Sequence, residues 1–347
     1  MDRAPQSTTF TKAETDIHTN VEAGIGHILV CLDRSALSEA AVRHAVALAR
    51  VFEARLTLLH VMEAPPASTS MPDPLAWELA RQEARAYLDA VRERTETLGP
   101  KTTTMLVQGS PAERIVSAAA EVEADLTVLA SHGETDGRVQ ELGSTAQQVL
   151  ALGHGSVFVV GRGPSSRGTP RRILVALDGS TRTECVLPTA TRVARSYEAE
   201  LLLAHVVSEP VPSAILTTGA DLEHARDLSR RLEVAAERYL GQVASTLSRD
   251  HLVVRSVVLR ETDERQALLE LCARENVDLM IVSAHGSTCN PIRAFGTVSS
   301  YLLSHARAAL LVIQDLGADE RGTGAIPRER RATPLRGTPH TGPAEKS

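Results

Sequence analysis

The sequence predicts an α/β protein in which one unit, an open parallel sheet flanked by helices, occurs twice. Three observations predict it. Hydrophobic residues make up 43% of the 347 and aromatic residues only 3%, with Trp77 the single tryptophan, so the core is aliphatic, as buried parallel sheets are. Short β-branched runs alternate with longer stretches of helical periodicity, the pattern of βαβ units. Finally, the chain repeats itself: Ile28-Leu29-Val30-Cys31-Leu32-Asp33-Arg34-Ser35 aligns with Ile173-Leu174-Val175-Ala176-Leu177-Asp178-Gly179-Ser180, identical at six of eight positions.

In order along the first copy, strands are expected near 27–32, 55–61, 102–108, 125–130 and 156–160, with helices at about 36–52, 75–98, 111–122 and 143–152. The stretch 77–98 carries Leu79, Ala80, Tyr87, Leu88 and Val91 on one face among Glu and Arg, which reads as a surface helix packing on the sheet. The second copy gives strands near 172–177, 200–207, 251–259, 278–283 and 309–313 and a longer helix at about 219–247. The offset between copies begins at 145, where Leu59-His60-Val61 meets Ala204-His205-Val206. It grows to 153, where Ser131-His132-Gly133 meets Ala284-His285-Gly286 and Gly143-Ser144 meets Gly296-Thr297. Residues 1–24 and 316–347 read as disordered terminal segments, the latter rich in Gly and Pro without apolar periodicity. Between them lie a first domain (25–162), a turn-rich linker (163–170) and a second domain (171–315).

Composition narrows the function. The formal charge is −6, which argues against phosphate-backbone binding and hence against nucleic acid as a partner. No apolar run is long enough to span a membrane and the polar start lacks a signal-peptide core, so a cytoplasmic protein is expected. Cys31, Cys185, Cys272 and Cys289 show no paired spacing, indicating neither a zinc site nor a disulfide framework.

In an open parallel sheet, ligands bind beyond the carboxyl ends of the strands. Those ends carry Asp33, Val61, Gly109 and Ser131-His132-Gly133. A loop from Gly133 then reaches Gly143-Ser144 at a helix start, where free amides and the helix dipole attract an anion such as a nucleotide phosphate. Asp33 and Asp178 read equally as helix N-caps or as ligand contacts. His132 and His285 have no nucleophile or orienting acid placed by motif, and neither a P-loop nor a G-x-G-x-x-G follows a first strand, so no enzyme is indicated beyond at most a slow ATPase. His60 and His205 read as packed scaffold residues.

Together, V-x-x-D-x-S at the first strand end, S-H-G at the fourth and Gly-x9-Gly-[Ser/Thr] resemble the universal stress proteins, over about 27–161 and again 171–315. The resemblance implies an adenine nucleotide alpha hydrolase-like fold with a five-stranded parallel sheet in the order 3-2-1-4-5. It implies pairing of the fifth strands into an internal pseudo-dimer, with a further homodimer left open. It also implies a nucleotide, ATP with or without Mg2+: Asp33 at the ribose or a metal, Val61 at adenine, and Gly133, Gly143, Ser144 and Thr145 at the phosphates, with Gly109, Ala130 and His132 around them. Asp178, Val206, Gly286, Gly296 and Thr297 match in the second copy. The family loop reads G-x2-G-x9-G-[ST], whereas here Ala130 and Ser283 stand at its first Gly. Ser283, and Thr262 opposite Gly109, are expected to crowd the second pocket and leave the first as the better site. The competing reading is a stress-linked protein–protein scaffold that binds no nucleotide.

Overall fold

A computed structural model describes residues 24–63, 73–133, 142–153, 155–161, 168–208, 219–248, 252–287 and 293–315. The expected terminal disorder and most of the expected linker fall outside these residues.

The first half runs β1 (His27–Leu32), α1 (Ala36–Phe52), β2 (Arg55–Met62), α2 (Pro74–Glu96), β3 (Thr102–Gln108), α3 (Pro111–Glu121), β4 (Leu126–Ala130), α4 (Ser144–Leu152) and β5 (Ser156–Val160). The second half runs β6 (Arg172–Ala176), α5 (Thr181–Glu184), α6 (Leu187–Tyr197), β7 (Glu200–Ser208), α7 (Gly219–Leu247), β8 (Val254–Glu261), α8 (Glu264–Arg274), β9 (Leu279–Ser283), α9 (Thr297–His305) and β10 (Ala309–Ile313). Where the first half has one long helix after its first strand, the second has α5 and α6. Pro188 sits in the first turn of α6, a position that tolerates a missing N–H, whereas inside a continuous helix it would break the ladder. Strand β8 begins later than the expected 251 and continues to Glu261, because it follows the long β7 in register as far as Ser208.

Each half has the strand order 3-2-1-4-5, all parallel, as the resemblance implied. The halves join through their fifth strands: β5 and β10 run antiparallel, with Leu310 opposite Val159, Leu311 opposite Phe158 and Val312 opposite Val157. The result is one ten-stranded sheet. Two otherwise open edges cover each other, which removes the hazard of unpaired strand N–H and C=O groups. Since β5 and β10 point in opposite directions, the carboxyl ends of the two half-sheets lie at opposite ends of the molecule.

Burial on both faces explains the aliphatic runs. In β1, Ile28, Val30 and Leu32 face α1 and α2, and the same apolar layer continues through Phe158 to Ile173, Val175 and Leu201 of the second half. The opposite face is divided: Leu29, Cys31 and Leu59 pack under α3, while Leu174, Met280 and Leu310 pack under α8 and α9 together with Val157 and Val159 of β5. Side chains also cross from one half to the other. Arg192 on α6 donates to the Val51 carbonyl at 2.9 Å and lies over the Phe52 ring at 4.9 Å, and the Tyr197 hydroxyl donates to the Ala47 carbonyl at 2.8 Å.

Phe158 stands at the middle of this junction, 1% exposed, with the His44 ring edge-on at 5.6 Å. Phe158→Ala is expected to cost about 3–5 kcal/mol, as other buried Phe truncations do. Urea unfolding measures it, and a loss under about 1 kcal/mol would show that the junction carries little of the fold.

Candidate functional site

The carboxyl ends of β1, β2 and β4 and the start of α4 enclose a cavity of about 260 Å³ in the first half. Asp33, Val61, Ala130, His132, Gly133, Gly143, Ser144 and Thr145 all line it, so eight of the nine residues expected there converge. Gly109 does not. Its φ of +140° and its amide bond to the Met62 carbonyl at 3.0 Å make it the tight connection that ties the ends of β2 and β3 together, where a Cβ would meet the Arg114 guanidinium. Cys31, Pro111 and Glu63 also line the cavity, without a motif to announce them, as does His60.

The capping role considered for Asp33 belongs to Ser35, whose hydroxyl oxygen accepts from Ser38 N at 3.1 Å at the start of α1. Asp33 Oδ1 accepts only the Ser35 amide, at 3.0 Å, and among the described residues no donor meets Oδ2. That oxygen faces Gly133, where an added Cβ would lie 2.9 Å away. Glycine therefore lets the strand β4 exit pass close to a carboxylate oxygen that no donor among the described residues meets.

Across the cavity, Gly143 precedes α4 and donates its amide to the Ser131 carbonyl at 2.8 Å, without a side-chain cap on the first turn. The first-turn amides of α4 are thus left for another acceptor. His132 is 8% exposed; its Nδ1 meets Ser131 Oγ at 2.9 Å, while its Nε2 is buried with no partner among the described residues. A buried ring nitrogen is costly to leave unpaired, which makes it a candidate partner for a ligand's polar atom. Burial pushes the Cys31 thiol up, with Asp33 adding to the effect, so Cys31 contributes an uncharged wall. His60 has the scaffold role expected of it: its Nδ1 contacts the Leu32 carbonyl at 2.7 Å.

The second half has a cavity of about 300 Å³ lined by Asp178, Gly286, Gly296 and Thr297, but Val206 is not among its walls. It stays on the β6 and β9 side and does not reach the end of β7. Its Asp178 is differently placed. Oδ1 accepts from Ser180 N at 2.9 Å, Ser180 Oγ at 2.6 Å and Thr183 Oγ1 at 2.8 Å, and Oδ2 from Ser287 N at 2.7 Å. Its capping role, too, is taken by the neighbouring Ser180, which heads α5. Burial pushes the Asp178 carboxyl up, yet the bonds from Ser180, Ser287 and Thr183 outweigh it and hold the group below the usual range. His285 is equally committed, with Nδ1 2.9 Å from Asp315 Oδ1 and Nε2 2.7 Å from the Arg293 carbonyl.

The expected crowding by Ser283 and Thr262 is not what distinguishes this pocket. Thr262 is exposed and does not line it, while the Ser283 hydroxyl turns to donate to the His285 carbonyl at 2.6 Å. A different residue distinguishes it. Glu264 lines the second cavity where the first has Pro111, each opening the helix after the third strand. The repeat offset of 153 aligned the two, and only the exchange of an apolar residue for a charged one signalled it.

The profile of the universal stress protein family matches residues 24–161 and 169–314. A universal stress protein of Mycolicibacterium smegmatis is 28% identical over 299 residues, covering 83% of this chain and 96% of its own length. One of Methanocaldococcus jannaschii is 32% identical over 137 residues, covering 38% of this chain and 80% of its own. Among solved structures, a universal stress protein from Archaeoglobus fulgidus matches with a TM-score of 0.59 at 18% identity, covering 84% of this chain and 98% of its own, a likeness of fold.

The network on Asp178 carries a pH signature. A carboxyl held below its unfolded value, ~3.9, adds stability that is present above that value and lost as pH falls through the lower folded value. The stability gap between the wild type and Asp178→Asn, measured by urea unfolding, is expected to be widest near neutrality and to narrow below about pH 4. A gap that stays constant from pH 7 to pH 3 would contradict this account of Asp178.

Proposed function

Because the chain belongs to the universal stress protein family, whose profile spans both halves, we propose that it is a stress-response regulatory module holding ATP or a related adenine nucleotide in its first domain. The observation that carries this reading is the convergence, around one cavity of about 260 Å³, of a carboxylate oxygen and a buried imidazole nitrogen without partners among the described residues and a helix start without a side-chain cap. Each suits a different part of a nucleotide. The Asp33 carboxylate accepts ribose hydroxyls. The α4 amides with the Ser144 and Thr145 hydroxyls donate to phosphate oxygens, which the helix dipole also favours. The backbone at Val61 and the apolar wall of Cys31 and Leu59 border the flat base.

The chemistry is that of binding. His132 Nδ1 meets only the hydroxyl of its own neighbour, Ser131, and among the described residues no acid orients the ring. No group of three His, Cys, Asp or Glu side chains among the described residues is arranged to hold a metal unaided, so Mg2+ would arrive with the nucleotide's own phosphate oxygens as ligands. No helix among the described residues is long and apolar enough to cross a membrane, and a cytoplasmic role suits a nucleotide ligand.

For the second domain the alternative reading, a scaffold without nucleotide, is the better one. Its Asp178 is satisfied by its own chain and its cavity does not reach Val206.

Gly143→Val tests the proposal, since a branched side chain at the helix entrance stands where phosphate must approach. Calorimetric titration with ATP is expected to show binding by the wild type and a loss of at least about tenfold, or ~1.4 kcal/mol, in the variant. Unchanged affinity in the variant, or no binding by the wild type at millimolar ATP, would refute it.

A further inference from the structure

We propose that Glu264, a half-buried carboxylate at the cavity end of α8 where the first domain has Pro111, is the residue that disfavours nucleotide phosphates in the second pocket; the first pocket's own wall acid beyond Asp33, Glu63, is exposed and screened by solvent. The inference rests on the nucleotide reading of the first domain and names what sets the specificity of its twin.

The two cavities are similar in volume, about 260 and 300 Å³, so size does not separate them. Both keep the Gly pair and the hydroxyl at the start of the helix after the fourth strand: Gly133, Gly143 and Ser144 in one, Gly286, Gly296 and Thr297 in the other. The phosphate cradle is therefore retained on that side. The opposite wall has changed.

In the first domain α3 opens with Pro111 after a Ser110 that makes no side-chain cap bond, and the acidic residue of its first turn, Glu113, is exposed and does not line the cavity. In the second, Asp263 caps α8 and Glu264 is its first residue. Two acidic side chains occupy the helix end that would otherwise favour an anion.

No neighbouring cation neutralises Glu264. Arg265 is bound to Asp263 at 2.9 and 2.7 Å, and among the described residues no hydrogen-bond or ion-pair partner meets the Glu264 carboxylate. The other charged groups around the cavity are Asp178 at the end of β6, Arg293 before α9, and His285 at the end of β9, paired with Asp315 after β10, which also binds Arg182. Arg293 is exposed and its charge is screened by solvent, whereas Glu264 is half-buried and screened less. Burial first, then Asp178 and Asp263, push the Glu264 carboxyl up, which reports how unfavourably a negative charge already sits there. Phosphate charges entering the same cavity would meet that repulsion.

Titrating ATP into the full-length chain tests the proposal. The wild type is expected to take one equivalent, while Glu264→Gln and Glu264→Pro take two, the second site tightening at least about tenfold. Proline restores the first domain's residue at a helix position that tolerates it. Retention of the first equivalent shows that each variant is folded, and Gly143→Val combined with Glu264→Gln should leave one equivalent, which locates the gain in the second domain. The inference is overturned if both Glu264 variants gain no equivalent, or if the wild type already takes two. Should the wild type take none, the reading of the first domain fails by itself. A gain of one equivalent in Glu264→Gln would then still uphold the role of Glu264.

Discussion

The structure depends on the antiparallel pairing of β5 with β10. A five-stranded parallel sheet whose inner strands are buried on both faces still ends in two edges, and this chain closes one edge of each half with the other half. The pairing makes Val157, Phe158 and Val159 core residues of both domains at once, and it sets α6 against α1 closely enough for Arg192 and Tyr197 to reach backbone carbonyls of the other half. It also fixes where function can occur. With the halves antiparallel, the two carboxyl-end cavities open at opposite ends of one sheet, and neither shares a wall with the other. Two sites so arranged are free to diverge.

Divergence has left the scaffold nearly untouched and altered the polar groups within it. In the first domain the strand-end Asp33, the His132 imidazole and the start of α4 each retain hydrogen-bonding capacity unused by the described residues. In the second, Asp178 is spent on Ser180, Thr183 and Ser287 and His285 on Asp315 and Arg293, while the start of α9 is as free of a side-chain cap as that of α4. Satisfied buried networks rigidify a fold, while unsatisfied groups beside a cavity incur a cost that a ligand can remove. On the proposed reading, one half is arranged as a receptor and the other as a support.

Much of this was legible in the sequence, for identifiable reasons. Parallel strands buried on both faces read as continuous aliphatic runs, so ILVCL and ILVAL disclosed both first strands and the duplication together. The Gly-x9-Gly-Ser spacing disclosed one wall of the cavity, where Gly133, Gly143 and Ser144 come together, because close backbone approach needs glycine whatever surrounds it. What the sequence concealed is set by side-chain direction. Gly109 and Val206 lie at the right chain positions yet outside the cavities; Ser283 turns its hydroxyl to its own backbone; and Asp315 becomes a partner of His285 only because β10 ends beside β9. Pro111 and Glu264 were aligned by the repeat, but their place on a cavity wall follows from helix packing that no local motif encodes.

The central claim is that one chain carries two copies of a nucleotide-binding scaffold of which the first alone is a receptor. Amide hydrogen exchange of the full-length protein with and without saturating ATP tests it most directly, since it reads both cavities in the same molecule. The account predicts slowed exchange at 131–133 and 143–146 on addition of ATP, with 284–287 and 296–299 unchanged. Equal protection of both sets, or protection confined to the second, would contradict it.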